Sequence, residues 1–465
     1  MGQIVQAAGI IMIAAAWVMA QIPGWLALGL LVLGLVIPFG LARHRDKTRR
    51  WRGRKPHAGE LVHVDPRMAV RPTILGHRPP DGYRLASLYF GTGLIDRTGV
   101  LDHGFRVRVI DPIPDMTQPS PTADFADICD ERGRQIVREA RRRNVPIHLL
   151  WSGGLDSTTA CIAMLKALGG DTARLIVYFN KASISEYPTF FDAHIKGKLS
   201  RRRLSSISSA FDGKSIVVTG EHGDQLFGSA KAIAIPTRSS AFPQRPTFEE
   251  VLRRPWQDGL LVELSRTLAS RQRAELAFGY LAGQIERAPV PIPDLFTCYW
   301  WLNFSLKWQA VSLRMKAAAP GLDLATFERT TAHFFRSEAF QRWAMAHAGK
   351  GVRDGWQSYK WPARDYISAF TGDPAYAETK LKVPSLKGLI RGRASSMAWA
   401  MDARGTIFLE PIDRSLQQAQ HFELGIDVDF RRGASRNDGE PTSRQQPAFC
   451  TDREQPLWDD MGDGE

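Results

Sequence analysis

Ile147-His148-Leu149-Leu150-Trp151-Ser152-Gly153-Gly154-Leu155-Asp156-Ser157-Thr158 is the stretch from which the rest of the chain is read. The apolar run up to Trp151 predicts a short strand, and the spacing of Leu155, Ile162, Leu165 and Leu168 predicts a helix that starts at the glycines. Strand, phosphate-sized loop and helix thus follow in order. Gly153 and Gly154 have no Cβ, so backbone N–H groups can close on an anion at the positive end of the helix, where Ser152, Ser157 and Thr158 add hydroxyl donors. The lysine of a GxxxxGK[ST] loop is missing. Asp156 stands instead where phosphate would repel it unless a cation intervened, so the loop implies Mg²⁺. An isolated Gly-Gly pair would read as a plain chain reversal; the ordered combination outweighs that reading.

The Ser-Gly-Gly-x-Asp-Ser string resembles the PP-loop of the ATP pyrophosphatases, which cut ATP between its α and β phosphates and activate a substrate by adenylation. The resemblance assigns ATP contacts to Trp151, Ser152, Gly153, Gly154, Asp156, Ser157, Thr158, Val177 and Gly220. Downstream, Ser215-Ile216-Val217-Val218-Thr219 reads as a buried strand, with Gly220-Glu221-His222-Gly223-Asp224-Gln225-Leu226-Phe227-Gly228 as the loop at its end. Ligands gather at such strand ends. The loop resembles the Gly-Glu-Gly-(Ser/Ala)-Asp-Glu-Leu-Phe-Gly-Gly signature of asparagine synthetases and β-lactam synthetases. That resemblance implies that Asp224 shares Mg²⁺ with Asp156 and that Glu221 assists deprotonation of an attacking amine. His222, Gln225 and Ser229 depart from the pattern, where Gly, Glu and Gly are usual, which leaves the acceptor open.

Tyr359-Lys360-Trp361-Pro362-Ala363-Arg364 resembles the late Lys-(Tyr/Trp)-x-x-Arg stretch of the same family. It implies catalytic roles for Lys360, facing the triphosphate, and Arg364; a surface lysine before a Pro-bounded helix is the plain alternative. Between these strings, Trp300, Phe304 and Trp308 recur at helical spacing, which reads as core or as a wall of the acceptor pocket, with Asn303 and Lys307 as pocket candidates. The family's Glu-x-Arg-x-Pro-Phe is replaced by Ser312-Leu313-Arg314-Met315, with His333-Phe334-Phe335-Arg336 later, so aspartate is not the expected acceptor.

Glutamine-dependent relatives begin with a catalytic cysteine, whereas here no cysteine precedes Cys129. The amine is therefore expected from free ammonia, a separate glutaminase or the substrate itself. Four cysteines without a CxxC pair and 11 histidines without HExxH spacing predict no structural zinc, which counts against the deazapurine-forming synthase with a similar loop. Unpaired cysteines suit a reducing compartment.

Residues 4–20 and 25–42 are almost entirely apolar and uncharged, each about 25–30 Å long as a helix, near the thickness of a hydrocarbon core. They predict a transmembrane hairpin over residues 1–43; a single helix with an interfacial partner, or a buried hairpin, are the alternatives. Residues 44–60 are basic and by the positive-inside rule stay in the cytoplasm, placing the catalytic domain there and anionic lipid at the membrane surface as partner. That run accounts for much of the net charge of +13, so nucleic acid is not the expected partner, and Arg138, Arg141 to Arg143 and Arg201 to Arg203 read as solvated helix faces. Residues 61–115 read as a small β-rich module, 116–130 as a linker, 131–385 as the synthetase domain, and 386–465 as a tail, disordered from about 430. The expected fold is α/β, a doubly wound parallel sheet with a helical acceptor half. The expected activity is ATP- and Mg²⁺-dependent amide formation through an acyl-adenylate from a small carboxylate and an amine. A nucleotide- or tRNA-modifying PP-loop synthetase, or an inactive membrane-bound nucleotide-binding protein, are the rivals.

Overall fold

A computed structural model describes residues 59–115, 124–228, 250, 252–319, 321–353, 358–373, 375–376 and 397–411. The predicted N-terminal hairpin, most of the basic segment, Ser229 and the end of the tail lie outside these residues. Among the described residues no helix is long and apolar enough to cross a membrane.

The strands are β1 (Leu61–Val64), β2 (Ile147–Leu150), β3 (Leu175–Phe179), β4 (Ser200–Arg203), β5 (Ile216–Thr219), β6 (Thr331–His333), β7 (Met397–Asp402) and β8 (Ile407–Pro411). Five of them form one sheet in the order β4-β3-β2-β5-β6, every pair parallel. The apolar runs are buried because both faces are covered. Side chains alternate: Ile147, Leu149, Val177, Ile216 and Val218 enter the large core, while Leu150, Tyr178 and Val217 enter a second core with Met315 and Phe327. The chain leaves β2 toward β3 and β4, then returns to β5 on the other side of β2, so the strand order reverses between β2 and β5. In an open parallel sheet that reversal opens a crevice at the carboxyl ends of the two strands.

The helices that matter here are α1 (Asp81–Phe90), α2 (Phe125–Arg143), α3 (Leu155–Leu168), α4 (Gly223–Phe227), α5 (Trp256–Leu268), α6 (Arg271–Glu286), α7 (Leu295–Leu306), α8 (Trp308–Ala317), α9 (Glu338–Ala346) and α10 (Trp361–Thr371). α2 and α3 touch closely at Gly133, where a Cβ would fall 2.4 Å from the Ala163 carbonyl oxygen. α7 is buried on all sides, and Trp300, Phe304 and Trp308 are core.

Several boundaries differ from the sequence reading. Residues 61–115 contribute a single strand, β1, a one-turn helix at Pro66–Ala69, and the helix α1, packed on α6; the alternating Phe105–Ile110 segment makes a bridge from Val107 to Leu61 and joins no named strand. β1 is completed by β7 and β8 in an antiparallel sheet of order β1-β7-β8, so the expected tail contains two paired strands. The proposed linker ends early, because the Asp124 side chain caps α2 by accepting from the Asp127 N–H at 2.8 Å. Arg201 to Arg203 lie on the edge strand β4 and not on a helix; exposed charge on an edge discourages pairing with another sheet. Arg138 and Arg142 do lie on a solvated helix face, paired with Glu131 and Glu139.

Candidate functional site

Two loops meet at the β2–β5 crevice. The first joins β2 to α3 and is closed by its own side chains. The Ser157 hydroxyl accepts from the Ser152 N–H at 3.0 Å and lies 2.8 Å from the Ser152 hydroxyl, which accepts from the Gly154 N–H at 3.2 Å. Gly153 has φ +75°, and a Cβ there would fall 2.3 Å from the Ser183 carbonyl oxygen, so glycine is needed both for the turn and for the close approach. Thr158 is enclosed, its hydroxyl accepting from the Trp151 indole at 3.1 Å, so it braces the loop from below and does not face its mouth. Val177 is buried in β3 beside Leu149. The Tyr376 hydroxyl donates to the Gly153 carbonyl at 2.9 Å, and its ring stacks on Tyr187 with centroids 3.4 Å apart.

The second loop follows β5 and runs into α4. Gly220 and Gly223 bring it against the first: a Cβ at Gly220 would fall 2.8 Å from the Ser157 nitrogen, and one at Gly223 2.3 Å from Asp156 Cγ. His222 holds φ +75°, a left-handed conformation that costs a non-glycine residue roughly 1–2 kcal/mol. Its ring is anchored by packing on Trp308, centroids 4.2 Å apart, and by a 2.9 Å hydrogen bond between Nε2 and Ser312 Oγ. Burial, then the neighbouring His333, Arg336, Arg97 and Arg314, push its pKa well below the ordinary value. His333, 2.8 Å from the Thr219 hydroxyl, is depressed likewise by burial and then by Arg336 and Arg314. Both rings are neutral at pH 7.

Asp156 and Asp224 converge on one ammonium. Lys360 Nζ lies 2.7 Å from Asp156 Oδ1 and 2.9 Å from Asp224 Oδ1, and the Tyr359 hydroxyl donates to Asp224 Oδ1 at 3.2 Å. Burial works to lower the lysine pKa, but the two carboxylates outweigh it and hold the ammonium above the usual lysine range. Lys360 sits at φ +62° ahead of α10, with its N–H bonded to the Gly351 carbonyl at 2.9 Å. It is buried, so the surface-lysine alternative does not hold. Arg364 stands behind this turn, donating from Nε to the Tyr359 carbonyl at 2.8 Å, where burial lowers its pKa.

Glu221 forms an ion pair with Arg314 across the loop from α8, so an amine base at Glu221 would first have to leave that arginine. Asn303 supports the loop from α7: its Nδ2 donates to the carbonyls of Asp224 at 2.8 Å and Gly228 at 2.6 Å, and its Oδ1 accepts from Gln225 Nε2 at 3.1 Å. It is therefore a brace and not a pocket wall, and the Gln225 amide suits this amide partner. Lys307 lies at the α7–α8 junction. The sequence reading missed Tyr359, Tyr376 and the Arg314 pairing. Tyr359 directly precedes Lys360, whereas nothing in the sequence near Tyr376 signals contact with Gly153. Two surface hollows, of about 420 and 340 Å³, lie along α5 and α6 and include none of these loop residues. No family model matches the chain, and no curated protein matches it.

Proposed function

We propose that this chain is an AMP-forming amide synthetase of the asparagine synthetase type, held at the cytoplasmic face of a membrane by its N-terminal apolar runs. The observation that carries the reading is the meeting of Asp156, Asp224 and Lys360, from three separate strings, at the β2–β5 switch point, with Lys360 and Asp156 204 residues apart. Carboxylate oxygens suit Mg²⁺, and a cation already stands between them. Asp156 and Asp224 would hold the ion, which when bound would offset phosphate charge.

The chain's own groups divide the remaining work. The amides around Gly153 and Gly154 and the Ser152 hydroxyl, at the start of α3, suit the pyrophosphate portion of ATP. A substrate carboxylate attacks the α-phosphorus and pyrophosphate leaves; an amine then attacks the acyl carbon, AMP leaves, and the amine proton passes to a base. Lys360 supplies positive charge to the leaving pyrophosphate. Glu221 is the candidate base once its arginine is released. His222, paired with Ser312 where the family carries Gly and Glu, supports an acceptor other than aspartate. Candidate carboxylates should be incubated with ATP, with and without ammonium, and the nucleotide products separated. AMP and pyrophosphate are expected; ADP and phosphate as main products would overturn the assignment, and ATP binding without turnover on any carboxylate would favour the inactive nucleotide-binding reading.

A further inference from the structure

Asp156 and Asp224 face one another across a buried ammonium that contacts both. Two carboxylates this close cannot stay charged without a cation between them, and the protein supplies its own. The Lys360 backbone is held by its turn, left-handed with its N–H bonded to Gly351, and its enclosed side chain brings the ammonium to the two carboxylates on a flexible stem. The ammonium therefore stands where a divalent ion bridging the same oxygens would have to stand. Mg²⁺ and Lys360 cannot both hold these oxygens in the same way.

We infer that Lys360 is a built-in competitor for the metal, so that the site takes up a divalent ion only together with the nucleotide, whose phosphates draw the ammonium off Asp156 and Asp224. This rests on the proposed function, since it presumes that the two carboxylates are metal ligands. The ammonium keeps the two loops together in the free protein and then moves a short distance to the phosphates. Metal alone gains too little from two carboxylates to displace it, because Mg²⁺ in such sites draws several ligands from water and phosphate. The nucleotide supplies both new metal ligands and a new partner for the lysine.

The test is direct Mn²⁺ binding, read by the electron paramagnetic resonance of the free ion, on the full-length protein in detergent with and without α,β-methylene-ATP. Wild type should bind Mn²⁺ weakly alone and retain one tightly held ion with the analogue. Lys360→Met should bind Mn²⁺ without nucleotide about tenfold more tightly than wild type, a gain erased by adding Asp156→Asn. Lys360→Gln serves in its place should the methionine variant not fold. Equal nucleotide-free affinity in wild type and the lysine variants would overturn the inference while leaving the metal site standing. Tight Mn²⁺ binding by nucleotide-free wild type that is lost in Asp156→Asn would overturn it without any lysine variant. Absence of Mn²⁺ retention even with the analogue would take down the site reading as well.

Discussion

The loop after β2 and the loop after β5 occupy equivalent places at adjacent strand ends, yet the first is closed largely by its own side chains and the second largely by side chains from elsewhere. In the first, most partners are local: Ser152 with Ser157, Gly154 with Ser152, Trp151 with Thr158, all within seven residues, while Tyr376 and Lys360 reach Gly153 and Asp156 from far along the chain. In the second they are remote: Asn303, Ser312, Arg314 and Tyr359 reach Asp224, His222 and Glu221 from elements 79 to 135 residues away. A loop closed by its own side chains keeps its shape wherever its strand and helix form. A loop braced from elsewhere has the shape that the surrounding core gives it, and can be altered without touching its sequence.

Removing the point that the two loops share should have the largest effect. Asp156→Asn takes charge from the cation site, and pyrophosphate release in a single turnover should fall by about 10³, equivalent to about 4 kcal/mol. A loss below tenfold would mean that the loops do not cooperate around one cation. The contrast between local and remote support is sharpened by two stability measurements. Asn303→Ala takes the Asn303 partner from the buried Gly228 carbonyl and the Gln225 amide and one of two donors from the Asp224 carbonyl, which also accepts from the Gly228 N–H, and should cost about 3 kcal/mol in urea unfolding, whereas Ser152→Ala should cost about 1 kcal/mol. Equal costs would erase the distinction.

The same contrast explains what was legible. The glycines, Asp156 and the hydroxyls stand in register with strand and helix periodicity, so local physics sufficed to read the first loop and its place in a parallel sheet. Asp224 and Lys360 were legible only through resemblance, since no spacing rule joins positions that meet through a sheet and two helices. Asn303 was read as a pocket residue because helical spacing gives a face but not what that face meets. The sheet formed by β1, β7 and β8 was hidden for a similar reason: its strands come from opposite ends of the described chain, and the segment before β7 reads as polar tail.

Acid should act on the remotely braced loop. The folded protein holds His333 neutral, with its pKa far below the unfolded value near 6.5. Below pH 6.5 the unfolded chain takes a proton that the folded one refuses, so its contribution to stability is full above that pH and declines beneath it. The decline should be about 1 kcal/mol between pH 6.5 and 5.5 for this residue. His333→Gln should remove that increment from the pH dependence of urea unfolding; an unchanged acid limb would mean that other groups carry it.

The smallest stability effect is expected at Arg314, yet it discriminates most finely between structural and chemical roles for the second loop. Its side chain is about half exposed, so solvent screens its pair with Glu221, and Arg314→Gln should cost about 0.5 kcal/mol or less. Chemically the change frees the Glu221 carboxylate. If Glu221 takes the amine proton, Arg314→Gln should leave pyrophosphate release unchanged and preserve amide formation, while Glu221→Gln should release pyrophosphate and then stall or hydrolyse the acyl-adenylate. Following both products in a single turnover separates the two steps. Equal loss of both in Glu221→Gln, matched by equal loss in Arg314→Gln, would mean that the pair pins the loop as Asn303 does and that the base lies elsewhere.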